Sequence, residues 1–359
     1  MAVPLFASSL EPYRERLNHA LARVVESGSF ILGPEVAAFE AEFAGYLGVR
    51  HCVGVANGTD ALAIGLRSLG VRPGDEVVMP SLTFYSTAEA AVDVGAVPVF
   101  CDVDLETACV TAETVHAALT PNTKAIVPVH LFGNVAPVPE LRELGLPVLE
   151  DAAQAAGATL GDGKAGALGD AATFSFFPSK NLPCLGDGGA ITTDSDEVAE
   201  HARMLRFHGS RDKVTFEEVG YNSRLDELQA AALRVLLPEL DGWTDARRAT
   251  AAEYERQGLA EHVSLPRPVD GAGHAYHLYA TRSARAGELA ARLKGRGVGA
   301  RGYYRVPVHR QPAMERFGAG GDLPATEELA ATNLALPMGT GLSREAVGEV
   351  VEACVSGST

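Results

Sequence analysis

The segment FSFFPSKNLPCLGDGGAI, residues 174–191, contains one lysine, Lys180, with no acidic residue among the six positions before it or the six after it. Aromatic and aliphatic residues flank this lysine, so we expect its amine to be partly withdrawn from water. Loss of hydration lowers the pKa of an amine and makes it a nucleophile and proton carrier suited to Schiff-base chemistry. The alternative is an ordinary lysine on a solvated face.

A second motif, VANGTDALAIGL, runs from an apolar strand into a helix through Gly58, Thr59 and Asp60. Free backbone N–H groups at a helix N-terminus bind anions, and Thr59 adds a hydroxyl group. Ser175, a few residues before Lys180, can reach the same anion. The alternative is that Thr59 or Asp60 is a plain helix cap.

A third motif, LPVLEDAAQAAGA, places Asp151 directly after an apolar strand, with Gln154 one helical turn further on. Such a carboxylate can pair with a cationic ring nitrogen. The alternative is a helix cap with Glu150 as a solvated neighbour, and we interpret His130, at the end of IVPVH, as a packed strand-end histidine. A phosphate cradle, a carboxylate and a desolvated lysine are together what pyridoxal 5′-phosphate requires.

The elements that must position these groups follow from hydrophobic periodicity. Helices are predicted in EPYRERLNHALARVVESG, which ends at Gly28, and from Pro34 to Gly48. Six short apolar runs then alternate with helical segments: HCVGVA, EVVMP, VPVFCDV, KAIVPVHLF, LPVLED and ATFSFF. This pattern predicts an α/β fold with a mostly parallel sheet flanked by helices. We expect a large cofactor-binding domain with the N-terminal helices over residues 1–243, and a small α+β domain over residues 244–359.

Composition limits the classes of function. The 359 residues include 30 basic and 46 acidic side chains, a net charge of −16, which argues against a general role on nucleic acid or on an anionic membrane. No secretory leader or long apolar run is present, so we expect a cytoplasmic protein. The five cysteines contain no C-x-x-C and are expected to be buried thiols, with no disulfide framework and no metal site.

The ordered motifs resemble the DegT/StrS sugar aminotransferases, which have the aspartate-aminotransferase fold. The resemblance runs from GSFILGPEVAAFEAEFAGYLGV through NGTDAL, EDAAQAAGA, SFFPSKNL and GYNSRLDELQAAAL to HAYHLYATR, VPVHRQP and LPATEELA. It implies that Lys180 bonds the cofactor's aldehyde, that Asp151 meets the pyridine nitrogen and that Gln154 lies near the phenolic oxygen. The other implied cofactor contacts are Gly58, Thr59, Asp60 and Ser175 at the phosphate, Phe84 stacked on the ring, and Asn222 reaching the phosphate of the neighbouring subunit in a homodimer with shared active sites.

The lysine favours transamination, because relatives with histidine at this position carry out dehydration. The resemblance implies L-glutamate as amino donor and a nucleotide-linked keto sugar as acceptor, aminated at C3 of a 3-keto-6-deoxyhexose. Amination at C4, a keto-cyclitol acceptor and a non-catalytic regulator are the alternatives. The expected substrate contacts are Arg211, Arg224, Tyr304 and His309. One departure from the family is Leu182-Pro183, where many relatives have Leu-Gly after the lysine.

Overall fold

The computed structural model describes residues 2–318 and 321–355, in which helices and strands alternate. The α-helices of these residues are α1 (Arg14–Ser27), α2 (Pro34–Leu47), α3 (Gly58–Ser68), α4 (Ser86–Asp93), α5 (Ala112–Ala118), α6 (Val138–Arg142), α7 (Asp196–Leu205), α8 (Glu227–Leu236), α9 (Leu240–Arg256), α10 (Ala286–Gly295), α11 (Pro324–Thr332) and α12 (Arg344–Cys354). The strands are β1 (His51–Val55), β2 (Glu76–Pro80), β3 (Val97–Cys101), β4 (Thr123–Ile126), β5 (Leu149–Asp151), β6 (Thr159–Leu160), β7 (Gly163–Lys164), β8 (Ala171–Ser175), β9 (Gly189–Thr193), β10 (Ala272–Gly273), β11 (Tyr279–Arg282) and β12 (Asn333–Leu336).

Seven strands make up the central sheet, in the order β1-β9-β8-β5-β4-β2-β3. A four-stranded part and a three-stranded part are joined by parallel bridges from Ile126 to Val148 and from Val129 to Asp151. All the pairings are parallel except those of β9, which runs antiparallel to both β1 and β8. The predicted mostly parallel α/β fold is therefore confirmed. In this sheet, β9 was not predicted from the sequence. An antiparallel strand can follow its neighbour without a crossover helix, so the alternation of strand and helix that indicated the other strands is missing here.

Aromatic packing fixes the end of β8, from which the Lys180 loop departs. The rings of Phe39 and Phe43 in α2 stack on each other, and Phe174 meets Phe43 edge-on with ring centroids 4.9 Å apart. Phe176 makes edge contacts with both helix rings. All four rings are buried. The loop thus leaves the sheet from a rigid point, since buried aromatic side chains bring large apolar areas into close contact.

The predicted helix ends are also confirmed. Gly28 and Gly48 follow α1 and α2 with φ of 66° and 81°, the left-handed conformation that glycine adopts without a steric cost. Pro34 begins α2 at a position where its missing N–H costs nothing. These caps place α2 against β1 and α8.

The C-terminal part packs around the antiparallel pair of β11 and β12, with α10 and α12 beside it. Tyr254 of α9 stacks on Tyr279 with ring centroids 4.8 Å apart. The N-terminal segment joins this part of the protein, because Phe6 bridges to Met338. The division at residues 243 and 244 falls inside α9 and stays a prediction.

All five cysteines are buried and free, as predicted. Burial raises the pKa of each thiol. Among the described residues, none of the helices combines the length and the apolar character needed to cross a membrane.

Candidate active site

Lys180 and Asp151 meet at one edge of the sheet. Asp151 is the last residue of β5, and Lys180 lies in the loop after β8, its parallel neighbour. Ligands of such sheets bind outside the carboxyl ends of the strands. Lys180 is half-buried, and burial lowers the pKa of its amine to about 8, against the opposing effect of the negative charge of Asp151. The amine is thus far more available as a free base than that of an exposed lysine.

The Asp151 carboxylate is held by a short hydrogen-bond chain. The Thr87 hydroxyl donates to Oδ2 at 2.8 Å, and the Thr83 and Thr87 hydroxyl oxygens are 2.9 Å apart. The N–H of Ala153 donates to Oδ1 at 3.2 Å. Burial raises the pKa of Asp151, while these bonds and Lys180 oppose the rise. Because a carboxylate has roughly four acceptor positions, Asp151 keeps room for another donor, such as a ring N–H.

The neighbouring Glu150 is fully buried, so the alternative in which it is a solvated neighbour is wrong. Its Oε1 accepts from the backbone N–H groups of Leu168 and Gly169, and its Oε2 accepts from Gly166 and from Nε2 of His130. His130 is also fully buried, as predicted, and its Nδ1 accepts from the N–H of Ala136. Glu150 therefore closes the loop of residues 166–169 and has no free acceptor position.

The first turn of α3 lies where the sequence predicts an anion cradle. Asn57 is the helix cap, and its side chain accepts from the N–H of Asp60 at 2.8 Å. Thr59 is therefore not the cap, and the N–H groups of Gly58 and Thr59 lie in the turn that lacks intrahelical acceptors. Ser175 lies against Gly58, where an added Cβ would be 2.8 Å from the Ser175 Cβ. This close approach brings a hydroxyl group to the helix N-terminus.

A second group of predicted residues gathers near Asp151. The side-chain amide of Gln154 donates to the Tyr304 hydroxyl at 3.1 Å, and its carbonyl accepts from the N–H of Phe132. The rings of Phe84 and Tyr304 lie with centroids 5.9 Å apart, and Phe84 is 54% exposed. Burial and the charge of Asp151 raise the pKa of Tyr304. Phe84 is thus free to stack on a ring, while Gln154 is held in one orientation.

The other predicted residues lie elsewhere. Arg211 and Arg224 line a cleft of about 730 Å³ that includes neither Lys180 nor Asp151, and Arg211 pairs with Glu217 at 3.1 Å. Asn222 is exposed and contributes no contact to the site of its own chain among the described residues. The structure therefore does not bring these three residues to Lys180 within one subunit.

His309 is buried beneath the loop that carries Phe84, and both of its ring nitrogens are engaged. Nδ1 lies 2.6 Å from Oγ of Ser81, and Nε2 lies 3.0 Å from Glu327. Because the carboxylate of Glu327 can only accept, Nε2 carries the proton, and in the neutral ring the Ser81 hydroxyl donates to Nδ1. This bonding suits a residue that supports the loop, so a substrate contact by His309 stays a prediction.

Thr87 and Arg247 belong to this region and were missed by sequence reasoning. Thr87 lies in the first turn of α4, four residues after Thr83, and that spacing was the available signal. A threonine in a first helical turn is otherwise indistinguishable from a surface residue. Arg247, in the RR pair of α9, carried no sequence signal for burial.

The residues present fit pyridoxal 5′-phosphate. The first turn of α3 and Ser175 offer donors for its phosphate, Asp151 has a spare acceptor for its ring nitrogen, and the Lys180 amine can bond its aldehyde. When bound, this cofactor supplies an electron sink for carbanion chemistry at an amino-acid carbon. Among the described residues, no group of three His, Cys, Asp or Glu side chains is arranged to hold a metal ion.

Comparisons with known proteins agree with this geometry. The sequence model of the DegT/DnrJ/EryC1/StrS aminotransferase family matches residues 12–355. The chain is 43% identical to a "Pleiotropic regulatory protein" of Geobacillus stearothermophilus, over 98% of this chain and 97% of the relative. It is 44% identical to the dTDP-3-amino-3,4,6-trideoxy-alpha-D-glucose transaminase of Streptomyces venezuelae, over 96% and 93%. It is 41% identical to the UDP-N-acetyl-3-dehydro-alpha-D-glucosamine 3-aminotransferase of Acidithiobacillus ferrooxidans, over 97% and 96%.

Two solved structures share the fold. DesV of S. venezuelae, in complex with a ketimine intermediate, superposes with a TM-score of 0.94 at 43% identity, covering 98% of this chain and 97% of that one. NtdA of Bacillus subtilis, with the bound cofactor PMP, superposes with a TM-score of 0.88 at 32% identity, covering 96% and 81%. The bound PMP shows that this family uses the pyridoxal phosphate cofactor that the residues around Lys180 fit.

Proposed function

Because the chain belongs to the DegT/DnrJ/EryC1/StrS aminotransferase family, and is thus a pyridoxal-phosphate-dependent sugar aminotransferase, we propose that it transfers the amino group of L-glutamate to C3 of a nucleotide-linked 3-keto-6-deoxyhexose. The products are the 3-amino sugar and 2-oxoglutarate. The observation that carries the choice of sugar is the 44% identity, over 96% of the chain, with a relative named for a dTDP-3-amino sugar. The dTDP-linked sugar is accordingly the first substrate to test.

Each residue of the site has a different role in the proposed reaction. The Lys180 amine, with a pKa lowered to about 8, would hold the cofactor by its aldehyde and, once released, would accept and return the proton of the amino-acid carbon. Asp151 keeps the ring nitrogen protonated, since a buried carboxylate beside that nitrogen stabilises its positive charge. Gly58, Thr59 and Ser175 would bind the phosphate of the cofactor.

We also propose a homodimer in which each active site is shared. Asn222 is exposed on a surface that does not line the site of its own chain, which suits a residue that completes the partner's site. Arg203 and Arg224 line the cleft of about 730 Å³ beside it. Neither arginine forms a hydrogen bond or ion pair among the described residues, so the cleft offers free positive charge to a diphosphate in a protein of net charge −16.

The proposed reaction is tested by supplying L-glutamate together with a panel of acceptors and identifying the product by mass and by proton couplings. The panel contains dTDP- and UDP-linked 3-keto and 4-keto hexoses and a nucleotide-free keto-cyclitol. We expect turnover of a 3-keto-6-deoxyhexose linked to dTDP. Turnover confined to a 4-keto sugar would move the amination to C4, and turnover confined to the cyclitol would replace the sugar.

The shared site is tested with two inactive variants, Lys180→Ala and Asn222→Ala. Mixing and refolding or subunit exchange produces hybrid dimers that contain one unmutated site if Asn222 acts across the interface. We expect activity to reappear in the mixture, up to about one quarter of the wild-type value. When the two variants are mixed in equal amounts, about half of the dimers are hybrids, and each hybrid has one intact site of two. Hybrids without activity, from parents that are folded and dimeric, would assign Asn222 to the site of its own subunit.

A further inference from the structure

A small cavity of about 90 Å³ borders Lys180. Its walls come from the Lys180 loop, from α9 and from the N-terminal segment that lies on the C-terminal part of the protein. The lining residues with hydroxyl, amide or charged side chains are Ser8, Ser9, Ser179, Lys180, Asn181, Arg247 and Thr340. Since one water molecule occupies about 30 Å³, the cavity has room for a group the size of a carboxylate.

Arg247 is a buried cation without an anionic partner. It is only 4% exposed, and its side chain donates to the carbonyl oxygen of Tyr276 at 3.0 Å and to Oγ of Ser8 at 3.3 Å. Its Nε is buried with no hydrogen-bond partner, and no carboxylate pairs with it in residues 2–318 and 321–355. Burial lowers the pKa of the guanidinium to about 10. An unpaired buried charge is costly, so its presence points to an anion that completes the site.

Other unpartnered atoms lie in the same region. Five buried side-chain atoms have no hydrogen-bond partner among the described residues, and three of them belong to Asn181, Arg247 and His277. Burial lowers the pKa of His277, and the nearby charges of Lys180 and Arg247 lower it further, so His277 is held neutral. Buried polar groups in native proteins are nearly always satisfied, so the unpartnered Nε of Arg247 indicates a missing acceptor. A carboxylate can supply that acceptor, whereas Oδ1 of Asn181 is itself an acceptor and needs a donor.

We infer that Arg247 binds the α-carboxylate of the amino-acid donor, an inference that rests on the proposed transamination from an amino acid. The guanidinium fork matches a carboxylate in two hydrogen bonds. The cavity borders Lys180, and the donor nitrogen must take the place of the Lys180 amine. The α-carboxylate, two bonds from that nitrogen, is the part of the donor that enters a small cavity beside the lysine. An alternative source of the same chemistry is a carboxylate side chain of a partner subunit.

The first experiment measures only the half of the reaction that involves the amino donor. The holoenzyme is mixed with L-glutamate in the absence of any sugar, and the loss of the cofactor's long-wavelength absorbance is recorded. The variants are Arg247→Gln and Arg247→Lys, with Arg248→Gln as the matched control, because Arg248 donates to carbonyl oxygens of Gly273 and His274 and lies outside the cavity. We expect the half-saturating glutamate concentration to rise roughly 10- to 100-fold in Arg247→Gln, less in Arg247→Lys, and less than about twofold in the control.

The second experiment measures binding directly. Trp243 is the protein's one tryptophan and lines the cavity, so its fluorescence reports on occupation. The holoenzyme is titrated with 2-oxoglutarate, with chloride at equal ionic strength as the control. We expect a saturable change in the wild type and in Arg248→Gln, shifted roughly 10- to 100-fold to higher concentration in Arg247→Gln.

Each outcome decides the inference. Unchanged half-saturating glutamate in the folded Arg247 variants would overturn it, and if those variants also lose their dimeric state, the carboxylate belongs to the partner subunit. Should Arg247→Gln fail to fold, the shift in Arg247→Lys decides. A wild-type holoenzyme that responds to none of glutamate, glutamine, aspartate and alanine would refute the amino donor of the proposed function, and the inference with it. Wild-type response without a variant effect refutes the inference alone.

Discussion

Glu150 and Asp151 are consecutive buried carboxylates at the end of β5, and they differ in how completely their oxygens are hydrogen-bonded. Glu150 accepts three backbone N–H groups and one from His130, which fills its roughly four acceptor positions. Asp151 accepts from Thr87 and Ala153 only. A carboxylate whose acceptor positions are all filled stabilises the surrounding loop. A carboxylate that lies beside a lysine and keeps a free acceptor position remains available to a ligand.

The same contrast separates the buried cations. Arg206 donates to the carbonyl oxygen of Gly54 at 2.7 Å and to the carboxylate of Glu40, so its charge is compensated inside the protein. Lys180 and Arg247 have lowered pKa values because burial is not matched by a comparable partner. Incomplete pairing therefore distinguishes the two buried cations at the proposed site from Arg206. Five predictions test this contrast, first on the chemistry of the site and last on stability.

Lys180→Ala should have the largest effect, because it removes both the bond to the cofactor and the proton carrier. We expect the formation of 2-oxoglutarate from glutamate to fall about 10⁴-fold or more. Lys164→Ala is the control, since the Lys164 amine donates to the carbonyl oxygen of Tyr46 at 2.8 Å. Borohydride reduction and peptide mapping should find the pyridoxyl group on Lys180, and its recovery on Lys164 or Lys213 would contradict the assignment.

Asp151→Asn should lower kcat about 10²- to 10³-fold while the dialysed protein keeps its cofactor, because a neutral amide no longer stabilises the protonated ring nitrogen. Absorbance after dialysis and steady-state rates measure the two properties. A variant with wild-type turnover would reduce Asp151 to a structural carboxylate that holds the turn at Ala153.

The pH dependence of cofactor capture by the cofactor-free protein should show how far Lys180 is desolvated. Its pKa is lowered, so the reactive neutral amine accumulates as the pH rises through about 8 instead of 10.5. At pH 8 about half of the amines are neutral, compared with about 1 in 300 for an ordinary lysine, which makes capture about 150-fold faster. Asp151→Asn should move the midpoint lower still, because the Asp151 charge favours the ammonium form. A midpoint near pH 10 would contradict the desolvated amine.

Thr87→Val should reduce kcat by about tenfold, because the loss of one hydrogen bond leaves the Asp151 carboxylate less firmly oriented. Thr87→Ser keeps the hydroxyl group and should retain most of the activity. A wild-type rate in Thr87→Val would show that the hydroxyl group does not matter to the site, and a lower rate in Thr87→Ser than in Thr87→Val would show that the methyl group does.

Glu150→Gln should have the smallest effect on chemistry and a clear effect on stability. The amide offers a donor where the wild type has an acceptor facing backbone N–H groups, so we expect the free energy of unfolding to fall by about 1–3 kcal/mol. Urea unfolding measures this change, and kcat of the folded variant should stay within about twofold of the wild type. A loss of kcat like that of Asp151→Asn at unchanged stability would erase the distinction between the two carboxylates.

Local patterns in the sequence determined much of the fold and the centre of the site. The six predicted strands, the caps at Gly28 and Gly48, and the positions of Asp151 and Lys180 after consecutive neighbours in the sheet all follow from periodicity and flanking residues within a few positions. The expected family also followed from such ordered motifs. These features could be predicted because they depend on residues that are close together in the chain.

The tertiary structure decided which polar groups are satisfied. Glu150 is buried because a loop about 18 residues away folds over it, and Asp151 is oriented by Thr87, 64 residues earlier. Arg247 is unpaired because α9, the Lys180 loop and the N-terminal segment converge on it without a carboxylate. Whether all the hydrogen-bonding positions of a polar group are filled depends on partners from distant parts of the chain. A local sequence pattern therefore cannot predict it.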